Sequence, residues 1–369
     1  MNKSFFSASM AVAFVWFTTH FGGGFASGRQ AVQFYNTFGW YALFTPLIAV
    51  GIMAVVFYFS WDLALAKKTY DYRHWANEMY KPYEKIFANL FEIIYNLILL
   101  TATAIAFATG GSTLESTIGT PYILNTIIIA ICIFFLTIYG ADIIRKAASL
   151  LGVLIIVGLL VIYGANLIKG MPQIMATLKA APSPHGFWPA LWNAIVYAGF
   201  QTAVVGAYVA VSDVLKDRRD VYKASLYGFI INTSMLSLTT IVLLGFFPEV
   251  LPETIPILYV LRHGVGAGWM ELVISLLILL GVITTGVNLI YGGAKRVVTF
   301  WDSRSDSQGD RKKNIIASGI YVIITWAIAL LGLIPLVAKG YGYIGYASLF
   351  IIVIPVLLRG FFFKNWGKN

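Results

Sequence analysis

Thr18-Thr19-His20-Phe21-Gly22-Gly23-Gly24-Phe25-Ala26-Ser27-Gly28-Arg29-Gln30 lies inside an apolar stretch that extends over residues 5–36. Four glycines fall within seven residues of this segment. An interior glycine costs a helix about 1 kcal/mol relative to alanine, so the cluster predicts a locally unwound membrane helix. Unwound backbone is tolerated at membrane depth only where protein buries it or where it lines a cavity. The segment therefore predicts a cavity in the middle of the first span.

Close helix packing is the alternative interpretation of the same glycines. Gly24 and Gly28 have the four-residue spacing of a GxxxG packing motif. The residues Ser27, Arg29 and Gln30 are unusually polar for a packing face. This polarity favours the unwound interpretation.

The composition of the whole chain is that of a membrane protein. Its 369 residues are 59% hydrophobic and 11% charged, whereas soluble domains carry about 25% charged residues. The mean hydropathy is +0.79. A net charge of +10 could indicate nucleic-acid binding. Because the cations cluster between apolar runs, we expect a lipid bilayer rather than nucleic acid as the partner. Cys132, the single cysteine, lies in an apolar run and is expected to pack there.

Ten apolar runs are long enough to cross a bilayer, which takes roughly 20 helical residues. Backbone groups in lipid must be satisfied internally, so each run is predicted to be a helix, and no soluble domain is expected. No small-x-small cleavage site follows the first run, which argues against a signal peptide. The predicted spans are residues 5–36, 40–65, 86–109, 122–140, 147–168, 188–212, 224–247, 266–294, 314–338 and 342–360.

Lysine and arginine residues in the connecting segments predict the orientation. With the N-terminus inside, 21 of these cations lie in inner segments and four lie outside. The distribution predicts cytoplasmic N- and C-termini in a cytoplasmic membrane of bacterial type. In the outer stretch 248–265, Thr254–Arg262 is expected to form either a short helix or an ordinary loop. The outer cations are Lys169, Lys179, Arg262 and Lys339.

The sixth span carries a second glycine-containing polar segment, Tyr197-Ala198-Gly199-Phe200-Gln201-Thr202, with Gly206 one turn further on. Discontinuous helices at matching positions of two halves indicate an inverted-repeat transporter. Because each half has five spans, the second half enters the membrane in the opposite sense, as the distribution of cations also requires. We predict repeats over residues 1–168 and 188–360.

This pattern resembles the amino acid–polyamine–organocation superfamily, whose members have a LeuT-type arrangement of five plus five spans. Within it, Gly23–Gln30 is most similar to the glycine-rich stretch of the bacterial YkvI-type membrane proteins. The resemblance implies a secondary transporter of small amino acid-like, zwitterionic or other organic solutes, without a cofactor. It also implies alternating access, in which spans one and six rock against spans three, four, eight and nine.

Thr284 and Thr285 are paired hydroxyl residues in the eighth span. Threonine hydroxyls in a helix commonly bond back to their own carbonyls, which is one interpretation. The resemblance implies another, in which Gly281, Thr284 and Thr285 bind sodium together with the backbone carbonyls of Thr18 and Phe21.

Proton-coupled relatives replace this sodium with a lysine of the fifth helix. Residues 147–166 contain no lysine, and Lys169 lies at the outer end of that span. Sodium is therefore the favoured coupling ion.

The broken first helix supplies free amides for an anionic group and free carbonyls for a cation. The resemblance implies that the substrate meets these amides and the facing side chains of the sixth span, with a contribution from the third. The implied substrate-binding residues are His20, Gly22, Gly23, Gly24, Phe25, Tyr197, Gly199, Phe200, Gln201 and Thr101.

Two ionisable residues of the first span have alternative roles. His20 could carry a proton and couple transport to protons instead of sodium, or it could be a neutral imidazole bonded within the bundle. Arg29 lies where relatives have an outer-gate arginine. Its candidate partners are Glu115 and Glu271, although its side chain could instead extend to the outer interface.

Two other functional classes are disfavoured. The sequence contains no HExxH, nucleophile elbow or P-loop, so we expect no enzyme. A channel would need rings of carbonyls or charges, usually contributed by several chains. Two unlike broken helices in one chain favour alternating access.

Overall fold

The computed structural model describes residues 7–139, 141–266, 268–302 and 311–362, and most of these residues are helical. Four of the 21 predicted inner cations, Lys3, Arg304, Lys364 and Lys368, lie outside the described residues.

The first half of the chain contains eight helices, counted over its described residues. The first predicted span is divided into three of them, and a short 3-10 segment, Asn36–Leu43, follows. The helices are α1 Ala8–His20, α2 Gly23–Ala26, α3 Arg29–Phe34, α4 Thr45–Lys67, α5 Tyr72–Met79, α6 Glu84–Ile118, α7 Tyr122–Tyr139 and α8 Ala141–Lys169.

The second half begins with a helix outside the predicted spans and ends with a long helix that contains two π-helical segments, Leu336–Tyr341 and Leu349–Val353. The helices are α9 Met171–Ala180, α10 Phe187–Thr202, α11 Val205–Val209, α12 Arg218–Leu244, α13 Pro256–His263, α14 Trp269–Asp302, α15 Arg311–Ala329 and α16 Leu333–Phe362.

Seven helices in the described part of the chain are long and apolar enough to cross a membrane. An eighth span is formed if Phe187–Thr202 and Val205–Val214 are counted together, with a bend of 53° between them. The first predicted span is not counted because it is divided into short helices, and α15 is not counted either. Length and composition thus account for seven or eight of the ten predicted spans.

The boundary between the ninth and tenth predicted spans was wrong. α15 ends at Ala329, and α16 begins at Leu333 rather than at residue 342. Gly332 lies between them with φ of +86°, a conformation that favours glycine. Because apolar residues continue on both sides of Gly332, hydropathy did not reveal this boundary. Lys339, assigned to an outer loop, is part of α16.

Three predicted connections contain short helices. α5 lies in the predicted inner loop 66–85, and α9 lies in the predicted outer loop 169–187. The outer stretch forms α13, which confirms the helical alternative for this segment, and Pro256 occupies its first position.

The membrane helices pack in two main groups. α1, α4, α10 and α12 form one group, in which the largest contacts join α1 to α12, α12 to α4 and α10 to α4. α6, α7, α14 and α15 form the other group. Trp16 of α1 lies so close to Gly228 that a Cβ added there would be 2.2 Å from its ring. The first break lies at the boundary between the two groups, since α2 contacts α14.

Candidate substrate and ion site at the first break

The first helix is interrupted between His20 and Gly23. Phe21 ends α1 by donating its N–H to the carbonyl of Phe17 at 2.9 Å. Gly22 is extended, with φ of −63° and ψ of 179°, and its carbonyl accepts the N–H of Phe25 at 2.9 Å. The last carbonyls of α1, beginning with that of Thr18, therefore lack the i+4 amide that a continuous helix would supply.

A second interruption separates α2 from α3. Gly28 has φ of +82°, a left-handed conformation that costs glycine little. A Cβ at this position would be 3.2 Å from Cβ of Pro256, so the turn also lies close to α13. The predicted glycine cluster thus produces two adjacent breaks, with a single helical turn between them.

The paired threonines of α14 lie beside the first break. A Cβ built on Gly22 would be 3.2 Å from Oγ1 of Thr285 and 3.9 Å from the carbonyl oxygen of Thr18. Thr284 donates its hydroxyl to the carbonyl of Gly281 at 2.9 Å, as expected for a threonine inside a helix. Its oxygen lone pairs are still available as acceptors.

A cavity of about 240 Å³ lies between α1, α8 and α14. The five residues implied for sodium all line it, namely Thr18, Phe21, Gly281, Thr284 and Thr285. The hydroxyl of Thr18 donates to the carbonyl of Phe14 at 3.0 Å. The carbonyl of Thr18, the ligand atom that the resemblance implies, is one of those at the end of α1.

Asn288 also lines this cavity, and sequence reasoning missed it. It is an exposed residue one helical turn beyond Thr284 on α14. The i, i+4 spacing from Thr284 is the signal that could have identified it.

A second cavity, of about 100 Å³, lies on the other side of Gly22. Gly22 and Thr285 line both cavities, so the two are adjacent. The predicted substrate residues that line the second cavity are His20, Gly22, Phe25, Phe200 and Gln201.

Other predicted substrate residues lie outside this lining. Gly199 packs against α16, and a Cβ there would be 2.4 Å from the carbonyl oxygen of Gly345. Thr101 lies against Gly340, and α6 contributes Ile98 and Ala102 to the cavity instead.

Gly23 and Gly24 begin α2, where the first amides of a helix lack intrahelical acceptors. Their backbone position is thus compatible with the donor role implied for them.

A buried hydrogen-bond network connects the first break to the sixth and seventh spans. Nδ1 of His20 is 2.7 Å from Oδ1 of Asn232, and Nε2 of His20 is 2.6 Å from the hydroxyl of Tyr197. Gln201 donates from Nε2 to that hydroxyl at 3.3 Å and to Oε1 of Gln30 at 3.5 Å. Tyr197 therefore lies behind the cavity wall and supports Gln201. Asn232 was not predicted.

Arg29 is buried against the outer segment, the stretch 248–265 that is predicted to lie outside, and 3% of its surface is exposed. Its Nη1 donates to the carbonyls of Leu251 at 2.8 Å and Glu253 at 3.0 Å, and its Nη2 donates to Gln33 at 3.2 Å. These carbonyls, rather than the predicted acidic partners, bind the guanidinium. One of those acids, Glu271, pairs with Arg262.

The outer segment is also bonded to the first helix through its backbone. The N–H of Ile257 in α13 donates to the carbonyl of Ser27 at 3.1 Å. Together with the bonds of Arg29, this contact joins α13 and the residues before it to the second break of the first helix.

Known proteins share this architecture. No protein-family model matches the sequence. The chain is 24% identical over 368 residues to the uncharacterized membrane protein YkvI of Bacillus subtilis, and the match covers 95% of this chain and 96% of that protein. This relative is of the type that the glycine-rich segment resembles.

Solved structures agree over nearly the whole chain. A manganese transporter of Eremococcus coleocola, in complex with an aromatic bis-isothiourea compound, has a TM-score of 0.59 at 14% identity and covers 98% of this chain and 81% of its own. The inward-facing conformation of Mhp1 has a TM-score of 0.55 at 15% identity, covering 95% and 77%. The chain has the LeuT-type fold.

A Na⁺-coupled sialic acid symporter in its substrate-bound outward-open state has the same fold, with a TM-score of 0.52 at 13% identity. The match covers 96% of this chain and 88% of that symporter. These three solved structures are membrane transporters, not enzymes.

Proposed function

We propose that this chain is a secondary active transporter that moves a small amino acid-like, zwitterionic or other organic solute together with sodium. The main support for the proposal is that the broken helix and the paired hydroxyls line one cavity. A Cβ built on Gly22 would be 3.2 Å from Oγ1 of Thr285. The proposed architecture is ten spans in two inverted repeats, 1–168 and 188–360, with both termini in the cytoplasm.

The cavity of about 240 Å³ is the proposed sodium site. Carbonyls of Thr18, Phe21 and Gly281 and hydroxyls of Thr284 and Thr285 would supply five neutral oxygens. Backbone carbonyls of an unwound helix, together with two neighbouring hydroxyls, suit a hard monovalent cation. All five ligands are neutral oxygens, so the bound site keeps the single positive charge of the ion. Asn288 adds a further amide oxygen at the edge of the same cavity.

Sodium would couple to solute because the two sites share residues. Thr285 and Gly22 line both cavities, so an ion at one site fixes the wall of the other. The oxygens come from both packing groups, α1 in one and α14 in the other. A bound ion therefore stabilises one arrangement of the groups over another, which is what alternating access requires.

We propose that this conformation is closed on the predicted outer side. Arg29 is buried beneath the carbonyls of Leu251 and Glu253. Thr19 and Asn288, which line the proposed sodium cavity, are exposed. In the proposed orientation, we expect this exposure to open toward the cytoplasm, so that ion and solute would leave by that route.

Proton coupling through His20 is less well supported. The bonding partners of its two ring nitrogens are the neutral side chains of Asn232 and Tyr197, and 3% of the residue is exposed. A proton carrier needs a partner that takes up or releases the proton. This environment instead favours a neutral imidazole with a structural role.

A ligand screen and a flux assay test the proposal. Purified protein is screened by thermal shift against amino acids, small amines and organic acids, with sodium or with potassium. Each hit is then measured for uptake into proteoliposomes. We expect a sodium-dependent hit with saturable uptake, whereas unsaturable flux would indicate a channel and refute the proposal.

A further inference from the structure

We infer that Asn232 sets the donor and acceptor pattern of the 100 Å³ cavity, and that the solute it accepts has no net charge and carries both a hydrogen-bond acceptor and an N–H donor. This inference rests on the proposed function, since it assigns the solute class of the same site. Neutral zwitterions and small amides both have this chemistry.

The pattern begins with the orientation of the Asn232 amide. Its Nδ2 donates to the carbonyl of Gly228 at 2.7 Å, one turn earlier on α12. This bond directs Oδ1 toward Nδ1 of His20, 2.7 Å away. An amide oxygen only accepts, so Nδ1 of His20 carries the hydrogen.

The tautomer of His20 then determines the direction of the next bonds. A neutral imidazole that is protonated at Nδ1 has a lone pair at Nε2. The hydroxyl of Tyr197, 2.6 Å from Nε2, must therefore donate to it. Because the hydroxyl hydrogen of Tyr197 is donated to His20, its oxygen can only accept from Gln201, whose Nε2 lies 3.3 Å away.

The bond to Tyr197 fixes the orientation of the Gln201 side-chain amide, which lines the cavity. One of its N–H groups points to Tyr197, and the other faces Oε1 of Gln30 at 3.5 Å. Oε1 of Gln201 and Nε2 of Gln30 make no hydrogen bond within the described parts of the chain. Both side chains line the cavity. The cavity thus presents an amide acceptor and an amide donor to a solute.

The rest of the lining disfavours a charged amine. His20 and Thr285 are neutral, and Phe25, Phe200 and Tyr341 are aromatic. A lone ammonium group placed here would lose its hydration without a carboxylate to compensate. A solute that has both an acceptor and an N–H group, with no net charge, satisfies the two glutamines.

A matched set of four probes tests the inference by thermal shift in sodium buffer: L-alanine, propionamide, propylamine and propionate. These probes are similar in size and differ in charge and hydrogen-bonding groups. We expect alanine or propionamide to stabilise the wild-type protein and propylamine not to do so. Preference for propylamine, or no stabilisation by either neutral probe, would overturn the inference.

Two variants of Asn232 test its positioning role. Asn232→Leu removes the acceptor and is expected to weaken binding of the preferred neutral probe about tenfold. Asn232→Asp is expected to hold His20 protonated, which reverses the Tyr197 bond and turns the Gln201 amide group toward the cavity. This variant should move the preference from alanine toward propionate, a change that a merely structural role would not produce.

Ser60→Ala is the control, because it removes a buried hydroxyl of α4 that donates to Val56 of its own helix at 2.8 Å. It should bind the probes as the wild type does. Unchanged probe ranking in both Asn232 variants would contradict the inference. The thermal shift in sodium compared with potassium, without any solute, separates the two proposals. If sodium stabilises the wild type more than potassium does but propylamine is the preferred probe, the solute inference fails and the proposed sodium coupling stands.

Discussion

At the scale of single residues, Thr285 lines both cavities, and its proposed contribution to sodium binding can be tested. Thr285→Ala removes one of five proposed oxygen ligands. We expect about tenfold weaker sodium binding, or roughly 1.4 kcal/mol, the magnitude of one charge-assisted hydrogen-bonding group. The measurement is the sodium concentration that gives half of the maximal thermal stabilisation.

Two controls accompany this measurement. Thr285→Ser retains the hydroxyl and should retain the affinity for sodium. Thr137→Ala removes a buried hydroxyl of α7 that bonds back to Ile133, so its sodium dependence should match the wild type. An unchanged half-maximal concentration in Thr285→Ala would exclude this hydroxyl from the site.

Single residues also show where sequence reasoning succeeds. The glycine run was identified by the cost of clustered glycines to a helix, and the paired threonines were identified by the resemblance. The structure places Gly22 and both threonines at one cavity. Asn232 was missed because an isolated amide in an apolar helix has no periodic pattern, and Asn288 was missed although its spacing from Thr284 places both on one helix face. The partners of Arg29 were missed because backbone carbonyls have no sequence signature.

At the scale of helices, the contact between α10 and α16 depends on glycines. A Cβ on Gly199 would be 2.4 Å from the carbonyl oxygen of Gly345, and backbone cannot move aside as a flexible side chain can. Gly199→Ala should therefore lower the thermal midpoint, with a cost of about 1–3 kcal/mol from overpacking. Gly164→Ala on α8 meets no atom within 4 Å and is the matched control. Equal midpoints for the two variants would refute this packing argument.

Arg29 joins the segment 251–263 to the broken first helix. Arg29→Gln removes the two bonds from Nη1 to the carbonyls of Leu251 and Glu253. We expect faster amide hydrogen exchange in this segment, because its closed position loses these bonds. Lys179→Gln on α9 changes an exposed outer cation and should leave the exchange unaltered. Unchanged protection in Arg29→Gln would show that other contacts hold the segment.

Helix boundaries were predicted less well than the presence of helices. The sixth span was expected to break within residues 197–202, whereas α10 continues to Thr202 and the bend follows at Ala203 and Val204. Gly199 serves packing instead. Glycine signals both unwinding and close packing, and only the neighbouring helix decides between these roles.

At the scale of the whole molecule, composition and the alternation of cations predicted a helical membrane protein, and the resemblance predicted the LeuT-type fold. The two packing groups could not be derived from hydropathy, because they depend on which helix faces which. Their boundary matters for function, since the proposed sodium ligands come from α1 on one side and α14 on the other.

Accumulation driven by a sodium gradient tests the central claim most directly. Proteoliposomes that contain the wild-type protein or the Thr284→Ala/Thr285→Ala variant are given a mixture of small neutral solutes, with sodium outside only or on both sides. Mass spectrometry then measures the internal solutes. We expect at least one solute to accumulate above its external concentration, only with the gradient and only with the wild type. Accumulation that is the same without the gradient, or the same in the variant, would contradict this expectation.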